Sequence, residues 1–254
     1  MARRQRLDAE LVRRKLVVSR TQAGEIIDSG RVLVNGAVAD KASRQVDPAD
    51  AVLIEGPPAR FVSRGGEKLA AALDAFGLEP AGWRALDAGA STGGFSDCLL
   101  QRGATHVVAL DVGHGQLHPR IRGSQRVTVI ERFNIRDVTP DAIGGPVDAV
   151  VADLSFISLN RVISALTSVC VSEAPMVLLV KPQFEAGRQE VAKARGIITD
   201  PAVHERVRSE VSEALVAAGC LVRGWVDSPI TGADGNREFL VHASAPSREK
   251  GHSS

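Results

Sequence analysis

The sequence predicts an α/β protein in two parts. A small α+β module occupies residues 1–60, and a larger domain built on a mostly parallel sheet occupies residues 61–254. Three observations predict this division. From residue 83 onward, short apolar runs alternate with helical patterns, as βαβ units do. Those runs are almost continuously apolar, as in "VDAVVADLSF" and "PMVLLVKPQF", which fits strands covered on both faces. Ahead of them, "RVLVNGAVA" reads as strand, Asn-Gly turn, strand, a hairpin signal foreign to a parallel sheet.

The elements follow in order. "LDAELVRRKL" places Leu7, Leu11 and Val12 on one helix face. "SRTQAGEIIDSG" offers Ser19 as an N-cap and Gly30 as a stop. "AVLIEG" is another short strand, and "GPPAR" reads as a stiff linker, over about 56–62. Seven strands come next: "WRALDAGA", "HVVALDVG", "RVTVIER", "VDAVVADLSF", "PMVLLVKPQF", "CLVRGWVDSPI" and "REFLVHA". A helix is expected over Asp200–Ala218. The polar stretch from about 244, ending "SREKGHSS", is expected to be disordered.

Composition narrows the function classes. At 254 residues and 44% hydrophobic content, the chain can bury a substantial core. Cys98, Cys170 and Cys220 are far apart and form no CxxC pair. That argues against a structural metal or a disulfide framework and fits a reducing compartment. No apolar run approaches the ~20 residues of a membrane helix, and the basic N-terminal stretch has no apolar segment behind it. A cytoplasmic monomer without metal or membrane contact is expected. Residues 1–60 hold 11 Lys and Arg against 8 Asp and Glu. A basic end on a near-neutral chain points to a polyanion, or to a solvated arginine-rich helix face.

The stretch "RLDAELVRRKLVVSRTQAGEIIDSGRVLVNGAVADKASRQV" resembles the S4 RNA-binding domain. The resemblance implies that Arg4, Arg6, Arg20 and Lys41 are presented to RNA phosphates.

In the larger domain, "LDAGASTGGFSDCLL" joins the first strand to a helix expected to start near Phe95. Its glycines permit a tight turn and close approach of a ligand. Taken alone, such a loop fits any strand-to-helix turn. Asp111 closes "HVVALD", where a carboxylate can accept hydrogen bonds from ribose hydroxyls; taken alone, it fits a turn cap. Together these pieces resemble the S-adenosyl-L-methionine site of class I methyltransferases, which have a Rossmann-like, seven-stranded fold. The resemblance implies that Asp87, Gly89, Ala90, Ser91, Thr92, Gly93, Gly94, Phe95, Asp111, Val112 and Asn134 serve the cofactor.

Lys181 ends the most apolar run in the chain. A lysine is costly to bury unless paired or working with a shifted pKa. Asp153 ends the preceding strand, so neighbouring strands would bring the two together. Glu238 opens the last strand, which is antiparallel in this fold, and Lys68 lies on a helix before the first strand. The set Lys68, Asp153, Lys181 and Glu238 looks like the K-D-K-E tetrad of FtsJ (RrmJ)-like ribose 2′-O-methyltransferases. With the S4-like part in front, the chain is similar to the TlyA family. Its most specific pieces are "VSRGGEKL", "LDAGASTGGF", "DVGHGQL", "VVADLSFISL" and "LVKPQFEAG".

That resemblance implies an enzyme that methylates the ribose 2′-hydroxyl of a cytidine in ribosomal RNA, with ribosomal subunits as partners. The target is in 23S rRNA and, for longer members, also in 16S rRNA. This sequence keeps the basic start but shows no C-terminal helix, so its range stays open. Lys181 serves either as the base or as a charge stabiliser, and the residues do not choose. A bare ion pair stapling two strands is the competing structural reading. Arg64, Arg132 and Arg136 either grip phosphates or are solvated. His114 stands where the family has an aromatic residue, and it could still stack. Two other classes compete: a non-catalytic RNA-binding protein and a membrane-active hemolysin.

Overall fold

The computed structural model describes residues 4–56, 59–232 and 234–247. Contacts divide the chain into two units, Met1–Arg64 and Gly65–Ser254. The expected linker includes positions 57 and 58, which lie outside the described residues, as does the tail from 248.

The first unit is built on a small apolar centre. Strand β1 (Gln5–Arg6) leads directly into α1 (Leu7–Arg13), and α2 (Arg20–Asp28) follows. Leu7 and Leu11 of α1 are buried against Ala23 and Ile27 of α2, with Val12 packed alongside. Ser19 caps α2, its hydroxyl accepting from Gln22 N at 3.1 Å. Helix α1 is shorter than its sequence pattern. It stops at Arg13 because Lys15 turns to φ 59°, which buries Val17 and leaves Leu16 exposed. The hairpin forms as expected: β2 (Val32–Val34) and β3 (Ala37–Val38) flank Asn35 and Gly36, both at positive φ. Strand β4 (Gln45–Val46) pairs with β1, and β5 (Val52–Ile54) pairs with β2. The β1–β4 ladder was not expected, since strands of two residues are too short to show hydrophobic alternation.

The second unit opens with α3 (Gly65–Phe76) and β6 (Arg84–Ala88). Then come α4 (Gly94–Gln101), β7 (His106–Leu110), α5 (Pro119–Arg122) and β8 (Val127–Ile130). Strand β9 (Ala149–Ala152) is followed by α6 (Ile163–Ser168) and β10 (Pro175–Val180). Three helices follow: α7 (Pro182–Glu185), α8 (Arg188–Lys193) and α9 (Pro201–Ala217). Strands β11 (Leu221–Asp227) and β12 (Phe239–Ser244) finish the unit.

The seven strands lie in the order β11-β12-β10-β9-β6-β7-β8, with β12 antiparallel to both neighbours and β10 through β8 parallel. The strands β6, β7, β9 and β10 are buried nearly throughout, which explains their unbroken apolar sequences. The chain runs outward from β6 to β8, then returns to place β9 on the other side of β6. The crevice at the carboxyl ends of β6 and β9 is therefore the switch point where such sheets bind ligands. Among the described residues, no helix is long and apolar enough to cross a membrane.

Candidate active site

Three strand ends form one rim. Strand β6 ends in the glycine loop, and Gly89 N there donates to Leu110 O, the last residue of β7, at 2.8 Å. Gly89 has φ 83°, and a Cβ on it would stand 2.5 Å from Asp153 O, a backbone atom after β9. No residue but glycine fits there. This close approach draws the glycine loop and the β9 end together. Asp111, after β7, accepts from Ser91 N at 2.8 Å and from Gly113 N at 2.6 Å, so its carboxylate is fixed by backbone amides. Asn134 caps a 3₁₀ turn, its Oδ1 accepting from Arg136 N and Arg136 Nε.

A cavity of about 460 Å³ opens over these ends. Gly89, Ser91, Asp111, Val112, Asn134 and Asp153 contribute to its lining. Thr92, Gly93, Gly94 and Phe95 do not line it. Gly93 caps α4, which starts at Gly94, near Phe95 as expected, and Phe95 is buried in the core. Ala90 lines a narrow crevice next to the cavity. Asp87 lies beneath the loop, fully buried, with Ser96 Oγ donating to its Oδ2 at 2.6 Å. Burial pushes its carboxyl up to about 7, against the pull of the Ser96 bond and with help from Asp153 and Asp111.

The four charged residues meet as two ion pairs. Lys181 Nζ stands 2.6 Å from Asp153 Oδ1 and donates to Ser155 Oγ at 2.9 Å. Lys68 Nζ donates to Glu238 Oε2 at 2.6 Å. Strand register accounts for the gathering. Leu178 of β10 is opposite Ala152 of β9, and Val180 is opposite Phe239 of β12. Asp153, Lys181 and Glu238 therefore leave adjacent strands at one edge. Glu238 itself sits just before β12 rather than inside it. A Cβ on Gly232 would lie 2.6 Å from Glu238 Oε1, so a side chain there would displace that carboxylate. The buried Asn236 braces the same segment, accepting from Ile198 N and donating to Gly196 O, each at 2.9 Å.

A cavity of nucleoside size and two sheltered lysine–carboxylate pairs share one sheet edge. The FtsJ-like methyltransferase family matches residues 61–245, and the S4 domain family matches residues 5–52. The chain belongs to the FtsJ-like methyltransferases. It is 49% identical over 242 residues to the 16S/23S rRNA (cytidine-2′-O)-methyltransferase TlyA of Mycobacterium tuberculosis, covering 95% of this chain and 90% of that protein. It is 39% identical to Hemolysin A of Brachyspira hyodysenteriae, over 93% of this chain and 98% of that one. A solved structure of a candidate hemolysin from Streptococcus thermophilus superposes with a TM-score of 0.77 at 38% identity, covering 97% of this chain and 90% of the other.

In the S4 part of this methyltransferase, the arginines are tied to acids. Arg6 and Arg20 both bond to Asp8, while Arg13 and Arg14 both bond to Glu10. The Arg6 bond is the main force holding the Asp8 carboxyl down at about 2, and the Arg13 bond does the same for Glu10. Arg4 and Lys41 are exposed. Arg64 is the last residue of that unit. In the methyltransferase unit, Arg132 is exposed at φ 57°, and Arg136 lines the cavity. His114 lines the adjoining crevice rather than the cavity, with its Nδ1 3.6 Å from Glu131 Oε2.

Sequence reasoning missed Ser155, Phe156 and Gln116, which also line the cavity; Gln116 Oε1 accepts from Ser91 Oγ at 3.1 Å. Ser155 and Phe156 sit in the quoted run "VVADLSFISL", but no periodicity distinguishes them. Phe156 is 91% exposed, with φ 65°.

Proposed function

We propose that this methyltransferase uses S-adenosyl-L-methionine to methylate the ribose 2′-hydroxyl of a cytidine in ribosomal RNA. The observation that carries the reading is the Lys181–Asp153 pair on the rim of the cavity that Gly89 and Asp111 line. The cavity volume lies in the range of small-molecule sites. The Cβ-free approach at Gly89 and the fixed acceptors of Asp111 suit a nucleoside group. Asp111, Asn134, Ser91 and Gly89 would hold the cofactor. When bound, it supplies an electrophilic methyl group.

The protein then has two tasks: to orient a weakly acidic hydroxyl and to manage its proton. Ser155 accepts from the Lys181 amine and Asp153 pairs with its charge, so the amine is held at the rim where the substrate hydroxyl would meet it. Glu238 holds Lys68 in the same way. In this reading, residues 1–60 bind RNA through Arg4, Arg6, Arg20 and Lys41, and residues 61–254 carry the chemistry. Arg64, Arg132 and Arg136 add phosphate contacts. The test is to map 2′-O-methyl groups on 16S and 23S rRNA after incubation with the enzyme and cofactor. A new 2′-O-methylcytidine in 23S rRNA is expected. Methylation of a base, or of no ribosomal RNA, would overturn the reading.

A further inference from the structure

Glu185 lies one short turn past Lys181, with no role in the chemistry just described. Its two oxygens both reach the segment that follows Asp153. Oε2 accepts from Ser158 Oγ at 2.6 Å, and Oε1 accepts from Leu159 N at 2.9 Å. Leu159 N is an orphan donor at the start of the 3₁₀ turn Leu159–Arg161, which Ser158 caps. The carboxylate thus closes a bridge between two chain segments. One runs from Lys181 through α7, held by Phe184 N to Lys181 O at 2.9 Å. The other runs from Asp153, whose N donates to Ala88 O at 3.0 Å, to Ser158.

The second segment contains a strained residue. Phe156 holds φ 65°, a conformation in which a bulky side chain is an outlier. The residue is 91% exposed and, among the described ring contacts, its ring meets only the Phe184 ring of the facing segment, centroids 5.3 Å apart, so burial supplies little to offset the strain. Such a conformation persists only when its surroundings impose it. The Asp153 amide fixes the front of the loop, and Glu185 fixes the back. Between these anchors lie Ser155, which binds the Lys181 amine, and Asp153, which pairs with it.

We propose that Glu185 is a positioning residue for methyl transfer, tying the loop of Asp153 and Ser155 to the helix after Lys181 and so setting the aim of the Lys181 amine. The proposal rests on the reading of Lys181 and Asp153 as the reacting pair.

The experiment compares Glu185→Ala, Glu185→Gln, Ser158→Ala and the double variant Ser158→Ala/Glu185→Ala, with Lys181→Met as reference. Single-turnover transfer of labelled methyl to ribosomal RNA is measured well below each variant's melting temperature, beside cofactor affinity by calorimetry. Glu185→Ala is expected to lower the maximal rate by about 10- to 100-fold, the scale of a small misplacement of reacting groups. Cofactor affinity and half-saturating RNA concentration stay within about threefold, as for an interaction acting mainly in the transition state. Glu185→Gln recovers part of the rate, since its carbonyl can still accept from Leu159. The double variant is no slower than Glu185→Ala, because both changes break one bridge.

A Glu185→Ala rate within about twofold of wild type, with Lys181→Met inactive, overturns the proposal while sparing the site. Parallel loss of rate and cofactor affinity also overturns it, since that marks a structural role. An active Lys181→Met enzyme rejects the underlying site instead. Should Glu185→Ala fail to fold, Ser158→Ala carries the same test, and an unchanged rate there overturns the bridge.

Discussion

The first helix of the S4 part and the methyltransferase site pair acids with bases in opposite ways. In the S4 part, Asp8 and Glu10 are sheltered while their partners Arg6, Arg13 and Arg20 face water: Asp8 is 6% exposed and Arg20 60%. In the two lysine pairs at the methyltransferase site, both partners are withdrawn. Lys68 is 10% exposed and Glu238 2%, and Lys181 is likewise sheltered beside Asp153. An inner acid with outer guanidiniums orients cations toward solvent, where a polyanion can meet them. A withdrawn ammonium beside a cavity gains little as a stabiliser, because desolvation offsets the attraction. It is better suited to acting on a bound group.

This contrast can be broken from the cavity side first. Gly89→Val places side-chain atoms where a Cβ already meets Asp153 O at 2.5 Å. Calorimetry should find no cofactor binding, and a retained affinity would show the loop to be tolerant. Lys68→Met comes next, since it leaves Glu238 buried without its cation. Denaturant unfolding should show a loss of about 3–5 kcal/mol. Adding Glu238→Gln should restore most of that stability but no methyl transfer.

Acid titration sharpens the comparison through sign. Asp8 and Glu10 are held at about 2 when folded, below the unfolded carboxylate range of about 4. Their stabilisation is present above that range and is lost as pH falls toward 2. Asp87 runs the other way. Held at about 7, it favours the fold below the unfolded pKa and loses that contribution as pH rises to 7. Melting curves of Asp87→Asn should therefore gain on wild type between pH 4 and 7, while the cost of Asp8→Asn should shrink toward pH 2. Equal pH slopes in both variants would contradict the contrast.

The smallest effect is expected from Arg20→Ala. Ribosomal RNA affinity should weaken modestly, and the salt dependence should fall by about one counterion. An unchanged salt slope would assign Arg20 to Asp8 alone.

Much of this was legible in the sequence. Unbroken apolar runs marked β9 and β10 because both faces of those strands are covered, and Asn35-Gly36 marked the hairpin because only such residues accept two positive φ values. Lys181 was conspicuous as a charge ending an apolar strand. Its meeting with Asp153 followed from strand adjacency, whereas the placement of Lys68 and Glu238 needed a family pattern. Glu185 and Asn236 were not legible, since their partners lie in loops whose paths no periodicity encodes. Nor was the pairing of Arg6 and Arg20 on one aspartate, because charge counts do not say which groups meet. The β1–β4 ladder was hidden for a related reason: its strands are too short to show a pattern.

The most direct test of the account is Lys181→Met, assayed for cofactor affinity and for methyl transfer to ribosomal RNA on one preparation. The account predicts affinity within about threefold of wild type and loss of transfer, as for a group acting mainly in the transition state. Transfer at a near-wild-type rate would contradict it.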